Sequence, residues 1–99
     1  MSKANVETWE ERFAGDEYIF GTAPNEFLTR EAKRLKPGSE ILCVADGEGR
    51  NSTWLAEQGH RVHAAEATTN AIVKAKALAA ERGVEVRHEQ LDLEEWDWP

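Results

Sequence analysis

The second half of the chain alternates between short apolar runs and stretches of helical periodicity. Glu40–Ala45, with Ile41-Leu42-Cys43-Val44 at its centre, has the length and apolar content of a strand buried on both faces. Asn51–Gln58 predicts a helix with Trp54 and Leu55 turned inward and Gly59 as its stop. Arg61–Glu66 reads as a second strand, Thr69–Arg82 as an alanine-rich helix stopped by Gly83, and Val84–Leu91 as a third strand. Strand, helix, strand, helix, strand, joined by short links, predicts an α/β fold with a parallel sheet and right-handed crossovers.

The N-terminal part follows a different rhythm. Thr8-Trp9-Glu10-Glu11 has the form of a capping box, which predicts a short helix through Phe13 that stops at Gly15. Asp16 to Pro24 reads as a loop bearing Tyr18 and Phe20. Asn25 is placed to cap a second helix with Phe27, Leu28, Ala32 and Leu35 on one face, ended by Pro37-Gly38. The chain thus divides into a helical or lid segment, 1–38, and a β-α-β-α-β core, 39–99, within one domain. At the far end, Trp96 and Trp98 are costly to leave in water and predict a covering partner.

Composition narrows the classes. The formal net charge is −7 and there is no run of Lys or Arg, so a polyanion such as nucleic acid would be repelled. No apolar stretch approaches a membrane span. The single cysteine, Cys43, lies in an apolar run and reads as an inert thiol of a reducing compartment, which predicts a cytoplasmic protein. His60, His63 and His88 share no ligand spacing with one another or with Cys43, so no metal is expected. His63 and His88 read instead as cross-strand neighbours.

The candidate chemistry lies in Asp46-Gly47-Glu48-Gly49-Arg50-Asn51, between the first predicted strand and its helix. Glycines there let a backbone approach a ligand, and the helix behind offers N–H groups. Glu66, at the end of the next strand, is placed to accept hydrogen bonds from both hydroxyls of a ribose. A dinucleotide site would want glycine where Ser52 stands, and Asp46 and Glu48 would repel a pyrophosphate. A cofactor with a cationic centre, such as S-adenosylmethionine, tolerates those acids.

The run Ile41-Leu42-Cys43-Val44-Ala45-Asp46-Gly47-Glu48-Gly49-Arg50-Asn51 resembles motif I of class I S-adenosylmethionine-dependent methyltransferases. With Trp9–Phe13, Glu17–Thr22 and Pro24–Leu28, it looks most like the bacterial branch near the tellurite-resistance and thiopurine methyltransferases. The resemblance implies that Asp46, Gly47 and Gly49 line the methionine part of the cofactor and that Glu66 holds the ribose. It implies that Ala67 lies against the adenine, with Asp92 and the Leu93 N–H on its edge, and that Arg12 and Phe20 close the methionine end. Glu66 stands where the family usually has aspartate, and Ala67 where a larger side chain is common.

The family's sheet continues beyond a third strand, and its acceptor binds over the later loops. Three strands of that Rossmann-like sheet take the order 3-2-1, with the first at an open edge. Pairing of two copies through that edge is the expected route to a homodimer. Three functions follow: transfer of a methyl group to a small-molecule acceptor, a non-catalytic nucleotide-binding domain, and an NAD-dependent dehydrogenase domain, which Ser52 disfavours.

Overall fold

In the computed structural model, which describes residues 3–92, three parallel strands form one sheet. These are β1 (Glu40–Val44), β2 (Arg61–Glu66) and β3 (Arg87–Gln90), with β2 in the middle. Glu40 to Val44 run in register with Arg61 to Ala65, and His63 to Glu66 with Arg87 to Gln90. The 3-2-1 order of a Rossmann-like half-sheet is therefore present. His88 pairs with Ala64, not with His63, whose register partner is Arg87. Because side chains alternate between faces, this one-residue offset puts the two histidines on opposite sides of the sheet. His63 instead bonds Glu89 at 2.7 Å.

Burial separates β1 from β2. Val62, Ala64 and Ala65 of β2 are buried, as a strand with neighbours on both edges requires. The expectation that β1 is buried on both faces does not hold. Leu42 and Val44 are 40% and 44% exposed: they share the sheet face opposite Ile41 and Cys43, and at this outer strand the described residues leave that face partly open.

Two helices supply the core. In α3 (Arg50–Glu57), Leu55 is buried, while Trp54 is only half-buried. In α4 (Thr69–Glu81), Ala71, Ile72, Ala75, Leu78 and Ala79 form a buried stripe. Leu55 and Leu78 are the largest fully buried side chains, and each contributes about 1.5–3 kcal/mol by leaving water. The alanines keep α4 narrow enough to sit close to α3 and the glycine loop.

The N-terminal elements depart further from expectation. Helix α1 runs from Lys3 to Arg12, so Thr8 lies inside it and not at its N-cap. Asn5, Val6 and Glu7 carry the helix back past the residue taken for its start. Glu10 caps a different helix: its two carboxylate oxygens accept the N–H groups of Thr69 and Asn70 at 2.9 and 2.8 Å. Helix α2 (Glu26–Glu31) does begin at Asn25, whose side chain accepts from Phe27 N and Leu28 N. It tightens into a 3-10 turn at Ala32–Arg34 and ends there, since Leu35 is extended and the residue before Pro37 disfavours helix. Of its apolar face, Leu28 and Ala32 are half-buried, while Phe27 and Leu35 are 64% and 40% exposed.

Candidate functional site

The chain leaves β1 through a strained corner. Ala45 has φ of 50°, a left-handed conformation that costs an ordinary residue about 1–2 kcal/mol. It is held by the Asp46 N–H, which donates to Ala65 O at 3.2 Å, and by a turn in which Gly49 N donates to Asp46 O at 3.4 Å. Gly47, with φ of 64°, donates its N–H to Glu66 Oε1 at 2.9 Å. The turn thus ties the ends of β1 and β2 together before α3 begins.

A cavity of about 310 Å³ opens over this corner. Of the residues singled out from the sequence, Asp46, Gly47, Glu66 and Phe20 line it, together with Trp9, Phe13, Gly21, Ala45, Glu48, Arg50 and Asn51. Gly49, Ala67, Arg12 and Asp92 are not among the lining residues. Gly49 lies behind the wall, where a Cβ would fall 2.7 Å from Ala75 Cβ; the glycine there serves helix packing. Arg12 is exposed, its guanidinium 4.7 Å from the centre of the Trp9 ring. The Ala67 carbonyl accepts from the Gln90 side chain at 3.1 Å. Leu93 and the tail with Trp96 and Trp98 lie outside the described residues.

The acids of the site play three different parts. Asp46 Oδ2 accepts from the Ser52 hydroxyl at 2.8 Å, while Oδ1 is buried without a partner. Burial, helped by the nearby Glu66 carboxylate, pushes this carboxyl up to about 6 against the Ser52 bonds, which pull it down. An orphaned carboxylate oxygen in a cavity wall is suited to a cation or an N–H donor.

Glu66 is buried and already engaged. Its Oε1 accepts from Gly47 N, and its Oε2 accepts from both the N–H and the hydroxyl of Thr68, at 2.9 and 2.8 Å. Each carboxylate oxygen has about two acceptor sites, so one site on Oε1 stays open. That leaves Glu66 room for one further donor on Oε1, where the sequence suggested two bonds to be accepted.

Glu48 is neutralised. Its side chain is 3% exposed, and Lys74 Nζ donates to its Oε2 at 2.6 Å. The pair cancels the negative charge assigned to Glu48 in the loop, leaving Asp46 and Glu66 as the acids that disfavour a pyrophosphate.

An aromatic wall faces these groups. Trp9 stacks on the buried Phe13 at 5.3 Å between centroids, and Phe20 tilts toward Trp9 at 6.4 Å. Arg50 lies 5.7 Å from the centre of the Phe20 ring. Cys43, at the back, is inert: burial and the Asp46 carboxylate push its thiol up to about 12. Among the described residues no three His, Cys, Asp or Glu side chains gather as a metal site, and no helix is long and apolar enough to cross a membrane.

Sequence reading missed Arg50 and Asn51 as wall residues, and Lys74 altogether. Asn51 accepts the Asn25 N–H at 2.9 Å and so fixes the start of α2 against the loop. The signal for Lys74 was its place on the apolar stripe of α4, three residues after Ala71 and four before Leu78.

No curated protein matches the chain at a significant level, but solved structures do. A protein studied for the conversion of a disulfide bond into a thioacetal group during echinomycin biosynthesis is 23% identical, with a TM-score of 0.75 over 89% of this chain and 40% of its own. TehB from Haemophilus influenzae, also 23% identical, gives a TM-score of 0.67 over 85% of this chain and 28% of its own. A methyltransferase from Geobacter sulfurreducens, solved with S-adenosyl-L-homocysteine, is 27% identical, with a TM-score of 0.58 over 88% of this chain and 35% of its own. The chain therefore spans less than half the length of each of these proteins. The methyltransferase domain family matches residues 41–99, more than half of the sequence, from the second residue of β1 through β3 and including the whole glycine loop. The chain belongs to the methyltransferase domain family.

Proposed function

We propose that this chain binds S-adenosylmethionine in the cavity over the 46–50 loop and provides the cofactor half of a methyltransferase acting on a small molecule. The observation that carries the cofactor reading is Asp46: a buried carboxylate oxygen without a partner in a wall that also holds aromatic rings and a neutralised Glu48. The residues fit the group. Asp46 would hold the ammonium of the methionine end, and Glu66 would accept one ribose hydroxyl through the free site on Oε1. Bound there, S-adenosylmethionine supplies a methyl group activated by its sulfonium. The chain's own part is to orient that methyl group and keep water from it, a matter of proximity rather than acid–base chemistry.

A small acceptor is favoured over nucleic acid by the net charge of −7. The edge of β1, unpaired among the described residues and flanked on one face by the half-open Leu42 and Val44, favours pairing with a second copy as the protein partner. The acidic, cysteine-poor composition fits a cytoplasmic setting.

Calorimetry of the whole chain with S-adenosylmethionine, S-adenosylhomocysteine and NAD tests the cofactor. Binding of the first two and not of NAD is the expected result. Binding of NAD alone would overturn the reading.

A further inference from the structure

Lys74, outside the cavity lining, takes part in three hydrogen bonds. It sits on the buried stripe of α4, and its side chain is only 12% exposed. Burying an ammonium costs several kcal/mol unless it is paired and hydrogen-bonded. Here Nζ donates to Glu48 Oε2 at 2.6 Å and to Glu17 O at 2.7 Å. The other oxygen of Glu48 accepts the Ile19 N–H at 2.8 Å. Tyr18 donates its hydroxyl to the Lys74 carbonyl at 2.8 Å, and Nζ lies 5.9 Å from the centre of its ring.

Three consecutive residues are therefore tied here: Glu17 and Ile19 to the side chains of the pair, and Tyr18 to the main-chain carbonyl of Lys74. The next two, Phe20 and Gly21, line the cavity. Phe20 itself is 55% exposed and is not held by burial. Its position follows from the residues before it. A buried ion pair contributes little net stability compared with apolar packing, but its geometry is directional. Since Glu48 also belongs to the glycine loop, one pair locates both the loop and the segment that faces it.

We propose that Glu48 and Lys74 are positioning residues that hold segment 17–21 as a retaining wall over the cofactor, and so set its rate of release. This rests on the cofactor reading above. Stopped-flow release of S-adenosylhomocysteine from the full chain, followed by Trp fluorescence with Trp9 in the cavity wall, measures it. Lys74→Met is expected to speed release by about tenfold or more while association changes by less than about threefold. Lys74→Arg, which restores a cation within reach, is expected to recover most of the retention. Tyr18→Phe removes one bond and leaves both charges in place, so it reports even if Lys74→Met does not fold; a smaller change of the same sign is expected. Release at the parent rate in Tyr18→Phe and every folded Lys74 variant would overturn the proposal, as would a change confined to association. If the parent chain binds neither S-adenosylmethionine nor its homocysteine product, the cofactor reading itself falls and the wall has nothing to retain. That result is distinct from unaltered release.

Discussion

At Gly49 a methyl group would meet both the Cβ and the Cα of Ala75, at 2.7 and 2.8 Å, on a backbone with φ of 88°. Neither neighbour is a flexible tip that can swing away. Gly49→Ala is expected to lower stability by at least about 2 kcal/mol, read as a shift of the urea midpoint. Asp46 gives a prediction of the opposite kind. Its carboxyl moves from 3.8 to about 6 on folding, so the folded state binds that proton more tightly than the unfolded chain does. The stability it contributes is full below about pH 4 and is lost as pH rises through about 6. Asp46→Asn should flatten that decline in urea titrations between about pH 4 and 7 while weakening S-adenosylmethionine binding. The parent's own affinity should rise over the same range, since a cation favours the ionised carboxylate. That Asp46, Gly47 and Glu66 meet in one cavity wall was legible in the sequence because their places follow from local position: a turn after a strand and an acid at the next strand's end. Gly49 was legible as a glycine but not for its reason, because its neighbour Ala75 lies on another helix. The single open site on Glu66 depends on Thr68, whose hydroxyl takes part of the same carboxylate.

The elements show the same division between local and distant causes. Strand β2 and helix α4 begin where expected, and Asn25 caps α2, because each boundary is written in adjacent residues. Helix α1 was misjudged because Thr8-Trp9-Glu10-Glu11 satisfies the capping pattern while Glu10 serves α4. Thr68, at the N-cap of α4, makes no side-chain cap of its own, so that helix depends on a carboxylate from α1. Asn70 returns a bond from its side chain to the Glu10 carbonyl at 2.8 Å. Glu10→Ala is expected to cost about 1–2 kcal/mol, and hydrogen exchange should accelerate at the Thr69 and Asn70 amides and along α1 together. Acceleration confined to α1 would show that the start of α4 does not rely on Glu10.

For the whole molecule, the parallel order was legible from the alternation of runs, whereas the exposure of β1 was not, since apolar content does not say which strand lies at an edge. The edge of β1, unpaired among the described residues, is a template for another strand, and Leu42 and Val44 add a half-open apolar face beside it. Sedimentation is expected to show association that grows with concentration, and Leu42→Lys to suppress it; a parent that stays monomeric at high concentration would exclude pairing through β1.

The bonds joining the N-terminal segment to α4 have a consequence for how the protein is made. Tyr18 and Lys74 are 56 residues apart in the chain, and Glu10 and Asn70 are 60 apart. At roughly 5–20 residues per second of synthesis, the aromatic segment leaves the ribosome about 3–12 s before its partners do. Throughout that interval Trp9, Phe13 and Phe20 lack the α4 residues that tie their segment down, so the wall of the cavity cannot close until α4 has emerged, and a chaperone that shields apolar segments has its natural opening there.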